Sequence, residues 1–358
     1  MQAPSDTRIH VIVEHMRLLI ITQKVDQNDD ILGFMHGWIA EFAKHCEQVI
    51  VICLYEGEHN LPDNVRVFSL GKEKGASKWK YFINFYRYIW SERKNYDAVF
   101  VHMNQEYVLM GATFWFVTGK NIFMWRNHHA GSFLTDIAVA FCSKVFCTSK
   151  YSYTAQFKKT VLMPVGIDIE VFKPHLEISK TKNILFLARI SPVKKPHVLI
   201  AALALLRERG TELSASFFGD PLPKDILYYD ALKKTVADRH FEGVIQFEKG
   251  IPNTETVRVY NAHDIFVNLS SSGMYDKTIF EAMACGTLVL ASNKNLIGEI
   301  DDMFIFEEDN VEELAQKLEH LINLSAEEKN AWALKLRDYV KQKHSLRELR
   351  KKLFPLRT

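Results

Sequence analysis

SSGMYDKTIFEAMACGTLVLAS, residues 271–292, is the stretch whose reading decides the fold. The apolar run DIFVNL (264–269) leads into it. Serines and a glycine follow, then a helical stretch carrying Glu281, a stop at Gly286 and the apolar run TLVLAS. A strand, a polar turn and a helix in that order gather free backbone N–H groups at one point, where an anion can bind. The small residues of EAMACG suit close packing at a helix end, so Glu281 is expected against the protein rather than in solvent.

The same grammar recurs along the chain. Apolar runs LLIIT, QVIVICL, YDAVFVH, NIFMW and KVFCTS occupy the first half, and NILFLA, SASFFG, DIFVNL and TLVLAS the second. Amphipathic stretches such as GFMHGWIAEFAKHC and KPHVLIAALALLRERG lie between them. Fully apolar strands alternating with helices imply a parallel sheet covered on both faces. The pattern breaks at MPVGIDIEVFKPHLEISKTKN. The reading is therefore α/β, with two doubly wound Rossmann-like domains facing each other across a cleft. The expected boundaries are an extension at 1–15, a first domain at 16–165, a linker at 166–182, a second domain at 183–335 and a basic helix at 336–358 crossing back to the first.

With 358 residues, 47% hydrophobic and 25% charged, the chain has a globular composition and length enough for two cores. A formal net charge of +2 gives no reason to expect nucleic acid as a partner. Cys46, Cys53, Cys142, Cys147 and Cys285 sit in apolar segments without CxxC spacing, which points to packed thiols, a reducing compartment and a cytoplasmic location. No zinc pattern and no G-x-S-x-G serine signature is present. No segment approaches the roughly 18 uninterrupted apolar residues of a membrane helix; YVLMGATFWFVTG comes nearest and reads as a buried helix.

Three stretches carry chemistry. In ILFLARISPVKKPHVLIAAL, Arg189 and Lys194 fall between a strand and a helix, where two cations can clamp a diphosphate. A solvated loop is the competing reading of that pair. In the opening stretch, a helix starting near Asp276 aims its N-terminus at the same cleft, and Glu281 can accept two hydrogen bonds from vicinal hydroxyls. WRNHHAG places His128 and His129 after a strand of the first half, within reach of a reacting centre.

Together these stretches resemble the GT-B-fold retaining glycosyltransferases of family four, the group-one glycosyltransferases. LARISPVKKPHVLI is similar to that family's R-x-x-x-x-K donor loop, with Lys195 where a glycine is usual. VLMPVGIDIEVFKP is similar to its G-x-D-x-x-x-F linker, giving Gly166, Asp168 and Phe172. FFGDP, with Gly219, resembles the turn after the next strand, and FEKGIPNTETVRVY the segment whose backbone at Gly250 and Ile251 reads the nucleobase. QKVDQNDDILGFMHGW, with Gly33, stands where the family has a glycine-rich loop beside the acceptor.

The resemblance implies roles. Arg189 and Lys194 would hold the donor diphosphate, Glu281 the ribose, and His128 or His129 the donor sugar near the reacting carbon. Ser272, Gly273, Lys277 and Thr278 would complete the donor turn. The family has a glutamate eight residues before the ribose-binding one, and here that position is Gly273. Asp276 and Lys277 replace small or apolar residues. Asp276 is expected either to supply the lost acceptor or to cap the helix.

The expected activity is a metal-independent hexosyl transfer with retention, from a nucleoside-diphosphate sugar to a hydroxyl of a glycan or lipid-linked acceptor, in surface glycan or glycolipid synthesis. The donor is a substrate, and no cofactor is expected. The alternative is a nucleotide-sugar-binding protein that lost turnover with its acid; a phosphorylase or epimerase on the same fold is a third reading. KEKGASKWKYFINFYRYIWSERK reads either as an ordinary helix packed beside the sheet with tyrosines at its rim or as a contact with an anionic membrane at the inner face. At helical spacing Trp79, Phe82, Ile83, Tyr86 and Trp90 form one stripe, Tyr81, Phe85 and Tyr88 lie off it, and cations crowd the segment, so more apolar surface is present than one buried face uses. The basic tail from Lys341 to Arg357 is expected to assist.

Overall fold

The computed structural model describes residues 16–353 apart from 176, 179, 181, 271 and 272. The expected extension at 1–15, Ser272 and the end of the basic tail (354–358) lie outside the described residues.

Uninterrupted apolar strands are buried on both faces only if helices cover both, and the two sheets here are built that way. In the first, β1 (Arg17–Val25), β2 (Gln48–Glu56), β3 (Val65–Ser69), β4 (Ala98–His102), β5 (Asn121–Trp125), β6 (Lys144–Cys147) and β7 (Thr160–Leu162) pair in the order β3-β2-β1-β4-β5-β6-β7. All pairings are parallel, with Leu19 of β1 between Ile50 of β2 and Val99 of β4. The second contains β8 (Lys182–Leu187), β9 (Ala215–Phe218), β10 (Ile245–Glu248), β11 (His263–Asn268) and β12 (Leu288–Ala291), ordered β10-β9-β8-β11-β12 and also parallel.

Strand alternation assigns the helices to faces. Leu18 and Ile20 of β1 join one core with Trp38, Ile39 and Phe42 of α1 (Phe34–Ala43). Leu19 and Ile21 join the other, with residues of α2 (Lys78–Ser91), α3 (Gln105–Val117) and α4 (Phe133–Phe141). The second sheet shares one core with α5 (Pro196–Glu208), α6 (Ile226–Asp238), α7 (Asn253–Asn261), α8 (Lys277–Ala284), α9 (Val311–Asn323) and α10 (Ala326–Lys343). Then α11 (Leu346–Leu353) places Leu346 and Leu349 in the core around α1. The chain therefore returns to its first half at its end.

The return is stitched by hydrogen bonds. Gly166 and Ile167 both donate their N–H to the His344 carbonyl (3.0 and 2.9 Å), and Leu346 N–H donates to the Ile167 carbonyl at 2.7 Å. The Trp38 indole donates to the Gly166 carbonyl at 3.0 Å.

On α2 the excess of apolar surface expected from the sequence lies outward. The stripe of Trp79, Phe82, Ile83 and Trp90 does not face the sheet: these residues are 77%, 42%, 61% and 59% exposed. The buried face is formed by Asn84, Phe85 and Ile89, the Asn84 side-chain amide donating to the Leu70 carbonyl. Phe85 packs its ring against Tyr107 and Trp115 of α3, and that contact decides which face turns inward. The nearest approach to a membrane helix, on α3, is buried at Tyr107, Val108, Ala112 and Trp115, but Phe116 and Val117 are exposed. Among the described residues, no helix is long and apolar enough to cross a membrane.

Candidate active site

The carboxyl ends of both sheets open onto shared cavities. One, of about 510 Å³, is lined by Arg189 and Lys194, by Gly219, by Gly250 and Ile251, and by Asp276, Lys277, Thr278 and Glu281. Four separate strand-to-helix connections thus converge on one space, between residues far apart in sequence.

Each connection has a local cause. After β8, Pro192 opens a short 3-10 turn ending at Lys194, and Lys195 adopts a left-handed φ of 52° as it caps α5. A glycine adopts that conformation freely, whereas a lysine is strained in it by roughly 1–2 kcal/mol. Lys195 points its ammonium to Glu308 (2.7 Å) and Asp309 (2.6 Å), so it belongs to the α9 side. Lys194 turns the other way, donating to Ser270 Oγ at 2.8 Å and Asp276 Oδ2 at 2.7 Å. Arg189 is exposed, and no hydrogen bond or ion pair engages its guanidinium among the described residues.

After β9, Gly219 has φ +150°, and a side chain there would collide with the Ala188 carbonyl. The Gly250 N–H donates to Asp220 Oδ2 at 3.0 Å, tying the turn after β10 to the turn after β9. Gly33 caps α1 on the opposite wall, where a Cβ would collide with the Asp29 carbonyl, and lines a smaller adjoining cavity with Lys277 and Glu281.

Asp276 caps α8, accepting from Thr278 N–H, and also accepts from Ser270 Oγ (3.0 Å) and Thr278 Oγ1 (2.9 Å). Burial pushes its carboxyl up, but the charge and hydrogen bond of Lys194 outweigh this and hold it well below the usual carboxylate range. One oxygen thus caps the helix, one of the two roles expected for this position, and the other pairs with Lys194.

Glu281 is 3% exposed, and accepts from Tyr260 Oη at 3.2 Å and Asn253 Nδ2 at 3.3 Å. Burial raises its carboxyl, with the Lys277 charge opposing. Gly273 has φ +146°, and a Cβ there would meet nothing within 4 Å. Its carbonyl accepts from Ser149 Oγ of the first half and from Asn295 Nδ2, so the turn is anchored across the cleft.

A second cavity, about 830 Å³, continues from Arg189, Lys194, Gly273 and Asp276 to His128 and His129 on the first-half wall. The two histidine rings stack at 4.6 Å, and His128 Nδ1 lies 3.0 Å from the Ala130 N–H, so both rings reach this space. The sequence reading missed Asn253, Tyr260, Asp220 and Ser149, which position the site from other elements, and His102. Only His102 had a legible signal, as the last residue of an otherwise apolar strand.

Residues 168–339 match the family model described as glycosyl transferases group 1. The D-inositol 3-phosphate glycosyltransferase of Frankia alni is 31% identical over 153 residues, 39% of this chain and 38% of that relative. The enzyme of the same description from Kineococcus radiotolerans is 29% identical over 154 residues, 39% of this chain and 35% of its own length. These matches span little more than a third of each relative. Anabaena HepE, solved with UDP and glucose, superposes with a TM-score of 0.75 at 19% identity, over 95% of this chain and 98% of that one. Sucrose-phosphate synthase from Thermosynechococcus elongatus gives 0.69 at 16% identity, over 94% and 97%. At such identities the superpositions speak for the fold. Residues 168–339 are thus similar to the group 1 glycosyl transferases, and the two parallel-sheet halves together form the GT-B fold.

Proposed function

We propose that the protein transfers a hexose from a nucleoside-diphosphate sugar to an acceptor hydroxyl with retention of configuration. The observation that carries this reading is the convergence of Arg189, Lys194, the α8 N-terminus and buried Glu281 on one cavity. The base lies against Gly250 and Ile251, the ribose hydroxyls donate to Glu281, and the diphosphate takes Arg189 and Lys194. The sugar then extends towards Gly273 and His128. Bond breaking transfers charge to the phosphate, and two cations plus free helix amides stabilise it most where that charge is greatest. The departing phosphate accepts the proton of the attacking hydroxyl on the same face, without a metal ion. UDP is the first nucleotide to try, since HepE was solved with UDP and glucose.

A thermal-shift panel of UDP, GDP, ADP, CMP and TDP tests the site, because a ligand of the folded state raises the melting temperature by mass action. Nucleotide release from the matching donor tests turnover and separates the enzyme from a binding protein that lost its acid at Gly273. A panel without any stabilising nucleotide sinks the donor-site reading.

We further infer a membrane-associated acceptor and a place in surface glycan or glycolipid synthesis, with the protein peripheral at the inner face. The support is α2: its four exposed apolar residues accompany Lys78, Lys80 and Arg87, and Arg93 lies 4.5 Å over the Trp90 ring. Rings at headgroup depth flanked by cations suit anionic lipid. Vesicles of anionic lipid should sediment the protein at low salt and release it at high salt. Changing Lys78, Lys80 and Arg87 to Glu should abolish sedimentation at unchanged melting temperature, and retained binding in that variant overturns the inference.

A further inference from the structure

The part of the cleft facing the nucleotide wall has features that donor binding does not use. His102, at the end of β4, is 4% exposed, and its Nδ1 has no hydrogen-bond partner among the described residues. Thr148, just past β6, is 8% exposed, and its Oγ1 is likewise unpartnered. Both line the 830 Å³ cavity, a size suited to a small ligand. Buried polar atoms without partners are uncommon, and two in one cavity point to groups that a ligand completes. Met103, next to His102, holds a left-handed φ of 69°, and such strain in a non-glycine residue collects at ligand sites.

Rings and one cation frame these atoms. Trp125 pairs with His102 across β4 and β5, and Trp38 stands edge-on to both, 5.0 Å from Trp125 and 6.1 Å from His102. Lys277 reaches over from the start of α8: its ammonium lies 4.0 Å above the Phe34 ring and 4.8 Å above Trp38, and donates to the Gly166 carbonyl at 3.2 Å. No carboxylate oxygen lies within 4.0 Å of it among the described residues; its partners are rings and one neutral oxygen. The one carboxylate whose charge acts on it, Glu281, stands beyond ion-pair distance and accepts from Tyr260 and Asn253 instead, so the half-buried ammonium keeps room for an incoming anion.

We propose that Lys277 determines acceptor specificity, selecting a polyhydroxylated ring that carries a phosphate or carboxylate. The hydroxyls pair with His102 Nδ1 and Thr148 Oγ1, the apolar ring face lies on Trp38 and Trp125, and the anion takes Lys277 in place of the aromatic rings. The assignment to the acceptor follows from origin: every one of these groups except Lys277 comes from the first half, across the cleft from the nucleotide wall. This inference rests on the transferase reading and deepens it.

The test is equilibrium binding by tryptophan fluorescence, since Trp38 and Trp125 line the cavity, with glucose, glucose 6-phosphate and glucuronate as probes. One or both anionic probes should bind about tenfold or more tighter than glucose, as a charge-assisted hydrogen bond predicts. Which of the two does so identifies phosphate or carboxylate as the anion. Lys277→Met should bring the ratio near one, and Lys277→Arg should keep it. His102→Leu should weaken all three probes alike and leave the ratio as it was. Equal binding of all probes by the parent protein overturns the proposal, whether or not the variants fold, and so does an unchanged ratio in a folded Lys277→Met. A protein that no nucleotide stabilises would instead count against the transferase reading, so the two failures are distinguishable.

Discussion

At the scale of single residues, the Lys194–Asp276 pair is the most informative contact of the donor turn. The pair is only part-exposed, at 24% and 19% of the side chains, so its charges are poorly screened. Asp276 stays ionised throughout the neutral range, because Lys194 holds its carboxyl low. Asparagine caps a helix about as well as aspartate, so Asp276→Asn keeps α8 and removes only the charge. Turnover should then fall about tenfold or more, the effect of losing one charge-assisted bond, and the melting temperature should fall too, because the carboxyl that Lys194 holds low also stabilises the fold at neutral pH. Parental turnover in the variant would reduce Asp276 to a cap. The burial of Glu281 was legible, because small residues at a helix end leave little room for a solvated carboxylate. Its partners Tyr260 and Asn253 were not, since they arrive from α7, and nothing local in a sequence announces a contact twenty or more positions away.

At the scale of elements, strain and exposure are what the sequence conceals. The donor-loop resemblance marked Lys195 as a departure from glycine, and the φ of 52° gives the reason that glycine suits the position. Lys195→Ala loses both ion pairs and keeps the strain. Lys195→Gly loses the pairs but relieves the strain, so it should be more stable than the alanine variant by about 1 kcal/mol in urea unfolding. An alanine variant as stable as the glycine one would mean that the left-handed turn costs nothing. On α2 the helix itself was legible from spacing, but its inward face was not. Apolar residues occupy both sides, and only packing of Phe85 against Tyr107 and Trp115 distinguishes them. Short strands were hidden for a related reason. VRVFS, TVL and IQFE, which form β3, β7 and β10, stand at sheet edges, and half-exposed positions dilute the apolar run that reveals a central strand.

At the scale of the whole molecule, the double parallel fold was legible because apolar runs and amphipathic helices alternate across both halves. The seam between the halves was less so, since much of it gathers at the turn between α10 and α11. His344 sits there, its carbonyl holding Gly166 and Ile167, its Nδ1 accepting the Val165 N–H at 3.3 Å and its Nε2 3.0 Å from Tyr339 Oη. Nδ1 is therefore the unprotonated nitrogen, and a second proton would break that bond. Burial pushes the imidazole down to about 3 from 6.5, with the Lys343 and Lys352 charges adding to the shift. Below pH 6.5 the unfolded chain takes up a proton here and the folded one does not, so stability present above 6.5 drains away as pH falls towards 3. His102, pushed down to about 3 by burial and the Lys277 charge, contributes in the same direction. His344→Gln removes one of the two titrations. It should lower stability at pH 7.5, but flatten the fall between pH 6 and 4 by up to about 1.4 kcal/mol per pH unit, the value for one proton. Urea unfolding of parent and variant across that range decides it. Equal slopes would mean that the seam opens to protons before the molecule unfolds, and that His344 titrates in the folded state like an exposed histidine.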